Sequence, residues 1–241
     1  MAAKEITVNG ETSFATFVSR PNRFLVNLIP DGKKELEKAF LHDPGRMKEL
    51  LTPEARLVIR KPLSLTDRKT QWDILAVHYN DILVTINSSL PNLVTKIALS
   101  NGWIEELQNY ENIKPEVRHG NNRLDFMLSK NRERCFVEVK GVTLVNGQKA
   151  LFPDAPTTRG VKHLKELIKI KSQGDRAVVL FMCMRDDPIG FSPNEETDPN
   201  FSKQLQEAVR NGVEILVYKV SPIIRESKLI LQFNNKIKVT L

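Results

Sequence analysis

Arg123-Leu-Asp-Phe-Met-Leu-Ser-Lys-Asn-Arg-Glu-Arg-Cys-Phe-Val-Glu-Val-Lys140 reads as two strands, 124–128 and 134–140, joined by a polar turn at 129–133. Side chains alternate faces along a strand. Cys135, Val137 and Val139 therefore share one face of the second strand, and Phe136, Glu138 and Lys140 share the other. On the first strand Asp125 and Met127 oppose Leu124, Phe126 and Leu128. An antiparallel pairing brings Asp125 and Glu138 together beside Lys140. Two carboxylates next to an ammonium, with the Val139 carbonyl as a further ligand, can hold Mg²⁺ or Mn²⁺. Such an ion polarises a phosphodiester and acidifies water. Lys140 is then expected to orient that water or offset charge on the reacting phosphoryl group.

The rest of the chain reads outward from this hairpin. Before it, residues 1–88 carry short apolar runs at 13–19, 24–29, 56–61, 71–78 and 82–86, punctuated by turn signals such as Pro30-Asp-Gly32. Five or six strands at this spacing imply a small barrel or sandwich. Residues 33–41 fit a helix or a further strand. From Leu90 the rhythm changes: a helix over 92–108, weakened by Gly102, precedes the hairpin. After it come a long loop (141–157), a helix (158–171), an apolar strand (177–184), a helix (201–211) and a strand (214–220). Edge strands are expected at 230–233 and 237–241. Repeated strand–helix–strand units imply parallel pairing with right-handed crossovers, and the hairpin makes the sheet mixed. Two domains follow, 1–88 and 89–241.

Composition narrows the partner. The 241 residues are 41% hydrophobic, enough for a sizeable core, and carry a formal charge of +7. That balance favours a polyanion, nucleic acid before membrane, and no apolar run approaches the roughly 20 residues of a membrane span. The two cysteines, Cys135 and Cys183, lie in apolar runs and read as buried reduced thiols, which fits a cytoplasmic protein. Lys162, Lys165 and Lys169 share one face of the 158–171 helix, with Arg159 and His163 beside them. This is a phosphate-tracking stripe or an ordinary solvated face. In the long loop, Asp154 either caps that helix or joins the site. Arg20 and Arg23 cluster with Phe24, and Arg46 follows His42, which suits nucleic-acid contact on a small barrel. Glu105 or Glu106 is a candidate third acid.

Several long strings stand out: Arg-Leu-Asp-Phe-Met-Leu (123–128), Cys-Phe-Val-Glu-Val-Lys-Gly-Val-Thr-Leu (135–144), Phe-Pro-Asp-Ala-Pro-Thr-Thr-Arg-Gly-Val-Lys-His-Leu-Lys-Glu-Leu (152–167), Phe-Ser-Pro (191–193) and Gly-Val-Glu-Ile-Leu-Val-Tyr-Lys (212–219). In these strings the chain resembles the sugar fermentation stimulation protein family. The resemblance implies an α/β protein, α+β overall: an N-terminal OB-like β-barrel followed by a PD-(D/E)xK, restriction-endonuclease-like mixed sheet flanked by helices. It implies DNA binding without sequence preference and a regulatory role in sugar metabolism. It lays the nuclease pattern on Asp125, Glu138 and Lys140, with Glu106 rather than Glu105 at the acidic position of the first helix. Arg123, Arg159, Lys162 and Lys165 are the expected DNA contacts beside that pattern. Two departures stand out: a loop with Pro-Asn-Thr-Gly in the family is shortened here to His42-Asp-Pro-Gly-Arg46, and Leu124 replaces the proline before the first acid. Metal-dependent cleavage and binding without cleavage both remain open at this level, as do DNA strandedness and a homodimer.

Overall fold

A computed structural model describes residues 3–64 and 68–241. The chain divides into two units. The first comprises Met1–Leu90, Met184–Asp187 and Val220–Asn234; the second comprises Pro91–Cys183, Pro188–Lys219 and Asn235–Leu241.

In the first unit β1 (Glu5–Thr7) precedes β2 (Thr12–Asn22), β3 (Leu25–Pro30), β4 (Glu37–Leu41), β5 (Arg56–Arg60), β6 (Trp72–Tyr79) and β7 (Ile82–Thr85). Gly32 adopts φ +74 and reverses the chain after β3, so the ambiguous stretch 33–41 ends as a strand. Antiparallel pairings link β4–β3–β2–β5–β6, and a parallel pairing of β4 with β6 closes a five-stranded barrel. Closure leaves these strands no free edge. Alternate residues fill the interior, among them Ala15, Val26, Leu28, Ala39, Leu41, Leu57, Ile59, Trp72 and Ile74.

In the second unit α1 (Leu90–Ser100) is shorter than the spacing suggested. Gly102 at φ +63 ends it, and Glu105–Leu107 forms a separate 3₁₀ turn. Then follow β8 (Asn112–His119), β9 (Asn122–Lys130), β10 (Glu133–Val142), β11 (Val145–Asn146), β12 (Lys149–Phe152), α2 (Thr158–Ser172), β13 (Arg176–Cys183), β14 (Gly190–Pro193), α3 (Pro199–Arg210), β15 (Glu214–Arg225), β16 (Lys228–Lys236) and β17 (Lys238–Val239). In the central sheet β15, β13 and β10 run parallel to one another, and β9 and β8 add antiparallel strands beside β10. β15 passes from the second unit into the first, where β16 pairs with β1.

β8 is absent from the sequence reading because Pro115 and a string of exposed polar residues hide its alternation. The long loop is not structureless either: β11 and β12 pair there, and β12 runs parallel to β14. The core packs Phe181, Phe191 and Phe201 with Leu164, Leu167 and Leu205. Cys135 and Cys183 are buried free thiols. Among the described residues, no helix is long and apolar enough to cross a membrane.

β10 passes close to α1. A Cβ on Gly141 would stand 2.8 Å from Pro91 Cγ, inside any normal carbon contact. Gly141→Ala is expected to lower the urea midpoint, with a loss of about 1–3 kcal/mol as in other overpacked positions.

Candidate active site

The hairpin register carries the site. β9 and β10 pair from Glu133↔Lys130 to Val137↔Phe126, so the next step sets Glu138 beside Asp125. There Asp125 turns its Oδ2 onto the Val139 backbone N–H at 2.8 Å, and Asn92 Nδ2 of α1 donates to Oδ1 at 2.9 Å. On its other side β9 pairs with β8 in one unbroken register, from Asn112↔Ser129 to His119↔Asn122, which sets Asp125 across from Glu116.

Glu138 is 2% exposed. Its Oε1 accepts from Lys140 Nζ at 2.5 Å and from His163 Nδ1. A carboxylate only accepts, so Nδ1 of His163 carries the proton, while Arg159 Nε lies 3.4 Å from Nε2. Glu138 Oε2 is buried with no partner among the described residues. Burial pushes the Glu138 carboxyl up, but the bonds from His163 and Lys140 outweigh it and hold the group below the usual carboxylate range. Asp125 goes the other way: burial and then the charge of Glu138 raise it, against the pull of Val139, Asn92 and Lys140. The pocket therefore holds negative charge that the protein compensates incompletely.

The donor set suits a hard divalent cation. Two oxygen-donor side chains converge, and one buried oxygen has no other use. Among the described residues no three His, Cys, Asp or Glu side chains form a ready-made metal cluster. A cation here depends on the two carboxylates with main-chain carbonyl and water.

The other candidate residues fall in different places. Glu106 does not reach this notch: its carboxylate accepts from Tyr218 Oη and Lys236 Nζ, each at 2.6 Å. Asn92, which sequence reasoning missed, takes the α1 position next to Asp125. Its signal was faint, a polar residue in the first turn of a helix that precedes the hairpin. His163 is buried rather than on the surface. On the same helix Glu166 accepts from His119 at 2.6 Å and Asn122 at 2.8 Å, so two polar clasps dock α2 on the sheet. That docking leaves Lys162, Lys165 and Lys169 exposed. Lys162 and Lys165 line a 560 Å³ cleft with Lys203 of α3. Arg159 and Arg123 are exposed, the latter 3.8 Å from Glu116. Asp154 is half-buried, and Thr157 rather than Asp154 caps α2 through Gly160 N–H at 3.0 Å.

In the barrel, Arg20 binds the carbonyls of Gly45 and Arg46 at 2.8 Å, Arg23 at 2.8 Å and Asp43 at 3.0 Å. It organises its own loops. Arg23 and Arg46 are exposed.

The architecture defines the class: an OB-like barrel unit together with a restriction-endonuclease-like sheet flanked by helices. Family profiles agree, one described as the SfsA N-terminal OB domain over residues 18–86 and one as the sugar fermentation stimulation protein RE domain over residues 89–224. The sugar fermentation stimulation protein homolog of Moorella thermoacetica is 46% identical over 206 residues, 85% of this chain and 88% of that protein. The homolog of Clostridium perfringens strain 13 is 40% identical over 230 residues, 94% and 96% of the two chains. Pyrococcus furiosus SfsA, solved in complex with Ca²⁺, is 26% identical and superposes with a TM-score of 0.88 over 100% of both chains. The chain belongs to the sugar fermentation stimulation protein family.

Asp125 supplies a test of the notch that needs no substrate. Its folded carboxyl holds the proton more tightly than the unfolded chain does. Ionisation therefore begins to cost stability as pH rises past the unfolded value, and the cost is complete above the folded one. In EDTA at pH 7.5, Asp125→Asn is expected to raise Tm by about 2–4 °C. Added Mn²⁺ should stabilise the parent protein and not the variant. A scanning-fluorimetry series with and without Mn²⁺ reads both effects.

Proposed function

We propose that the chain is a DNA-binding protein of low sequence preference whose second unit carries a Mg²⁺- or Mn²⁺-dependent phosphodiesterase site. One observation carries this reading: the buried, partnerless Oε2 of Glu138 beside the raised carboxyl of Asp125. The Ca²⁺ complex of the similar Pyrococcus furiosus protein supports a hard-cation site in this fold. Asp125, Glu138 and the Val139 carbonyl are the proposed ligands, and the ion would supply Lewis-acid polarisation of a phosphodiester and a more acidic water.

The chain's own groups do the positioning. Val139 N–H and Asn92 fix both oxygens of Asp125, so its carboxylate cannot rotate freely. His163 and Lys140 share Oε1 of Glu138 and leave Oε2 for a ligand. Lys140, with one-seventh of its side chain exposed, offsets charge developing on the phosphoryl oxygens. In the second unit Lys162 and Lys165, with Arg159 and Arg123, follow the phosphate backbone, and the barrel offers Arg23 and Arg46 as contacts of its own. Contacts of this kind carry no base information, which accounts for low sequence preference.

Incubation of the full chain with supercoiled plasmid, linear duplex and single-stranded oligonucleotide, each with Mg²⁺ or Mn²⁺, tests the reaction. Cleavage is expected, lost by at least about a hundredfold in Glu138→Gln and in Lys140→Ala. Binding with no cleavage of any form in either metal would remove the enzymatic part and leave a DNA-binding protein. Lys162→Glu should weaken duplex binding and flatten its log–log salt dependence by about one unit, the loss of one phosphate contact. An unchanged slope in a fluorescence-anisotropy titration would mean that the α2 stripe faces away from DNA.

A further inference from the structure

The barrel carries a charged site of its own. Register places three residues side by side on its wall: Phe40 of β4 opposite Asp73 of β6, and Asp73 opposite Arg60 of β5. Their neighbours Ala39, Leu41, Ile59, Trp72 and Ile74 fill the interior, so these three face outward. Asp73 is nonetheless only 3% exposed, because cations cover it. Arg68 donates to its Oδ1 at 2.7 Å, His42 Nε2 stands 3.7 Å from the same oxygen, and Arg60 Nη2 is 3.7 Å from Oδ2. These residues line a 450 Å³ pocket.

The charge there does not balance. Both arginines are permanently cationic, and one carboxylate neutralises one of them. Burial alone would push the Asp73 carboxyl up, yet nearby His42 and the bond from Arg68 hold it below its ordinary value. Arg60 spends one Nη on the Asn9 carbonyl, at 2.7 Å, and its buried Nε has no partner among the described residues. Asp73 thus acts as a buried anchor that fixes a surplus of guanidinium charge in a concave place.

Aromatic rings border the pocket. Phe40 stacks on Phe24, with ring planes 19° apart and centroids 6.1 Å apart. The His42 ring meets Phe40 edge-on at 4.4 Å, and the Arg68 guanidinium lies 5.5 Å from the Phe40 centroid. Phe24, at 48% exposure, presents ring surface to solvent. Cations that take phosphate beside an open ring that takes a base face form the elementary site for an unpaired strand. A duplex hides its base faces and offers only phosphates.

We propose that this face of the barrel binds single-stranded DNA, with a phosphate in the Asp73 pocket against Arg60 and Arg68 and a base on the Phe24–Phe40 stack. The inference rests on the DNA-binding reading above and adds strand preference and a location. It keeps Phe24 and His42 from the sequence reading and replaces Arg20, whose guanidinium is committed to loop carbonyls, with Arg60, Arg68 and Phe40, which sequence reasoning did not select.

The test is fluorescence anisotropy with the full chain in EDTA, which prevents metal-dependent cleavage. The probes are labelled dT15 and a labelled 15-base-pair duplex. Phe24→Ala and Arg68→Ala are each expected to weaken dT15 binding about tenfold, while duplex affinity changes less than about twofold. Thermal melts of both variants within a few degrees of the parent exclude unfolding, and Phe24, being exposed, serves if Arg68→Ala melts early. Parent-like dT15 binding in Phe24→Ala would overturn the inference. So would equal weakening of dT15 and duplex. A parent protein that binds duplex through the α2 lysines but not dT15 would sink this inference alone. Binding of neither probe would sink the DNA-binding reading with it.

Discussion

The buried carboxylate of Glu138 is the constraint on which the second unit depends. Removing a carboxylate from water costs several kcal/mol unless charged partners meet it. Here two donors converge on a single oxygen, one from the same strand and one from α2. The second oxygen is left without a protein partner, at a cost of about 1–3 kcal/mol by the usual penalty for an unsatisfied buried acceptor. An apolar residue would pack this position at no such cost. The arrangement makes sense as preorganisation: the strand end, the helix and Lys140 are all held relative to one oxygen so that the other is presented.

The same contact explains why α2 shows the face it does. His163 and Glu166 are three residues apart and lie on one side of the helix. Both are buried, and both bond to the β8–β9–β10 part of the sheet. Leu164, Leu167 and Ile170 complete that side against the core. Once this face is fixed, Lys162, Lys165 and Lys169 have no direction left but outward. Thr157 caps α2 while its own N–H donates to Asp198 Oδ2, which also serves the start of α3. The helix that carries the basic stripe is therefore tied at its first turn as well as along its inner face.

How much of this could be read from the sequence follows from which forces act locally. The β9–β10 hairpin was legible because period-two alternation and a polar turn are local signals, and face arithmetic alone paired Asp125 with Glu138. The closed barrel was legible as a strand count, and the parallel β4–β6 pairing that closes it is a long-range event. β8 was not legible: Pro115 and a run of exposed polar residues hide its alternation. Glu106 illustrates a different limit. It was assigned to a helix end because Gly102 looked like an interruption, whereas that glycine ends the helix, and the 3₁₀ turn delivers the carboxylate to Tyr218 and Lys236. Arg20 looked like a surface arginine beside an aromatic, and only tertiary structure reveals four carbonyls around it. His163 carried the weakest signal of all, since nothing in a basic amphipathic helix tells a buried imidazole from a solvated one.

A shared device with opposite sign runs through the two units. In each, a buried acid on a strand gathers cationic or hydrogen-bonding groups around itself. Around Glu138 the acids lead: a second carboxylate stands beside it, one ammonium and one imidazole meet the pair, and one carboxylate oxygen is spare. Around Asp73 the balance is positive: two guanidinium groups and an imidazole surround one carboxylate, and a guanidinium nitrogen is spare. A surplus of carboxylate oxygen selects a hard cation, and a surplus of guanidinium selects phosphate. The buried acid has the same physical task in both places, to hold its neighbours rigid at a desolvation cost. What differs is the count of charges that it leaves unanswered, and that count, more than the fold around it, determines which ion each site can accept.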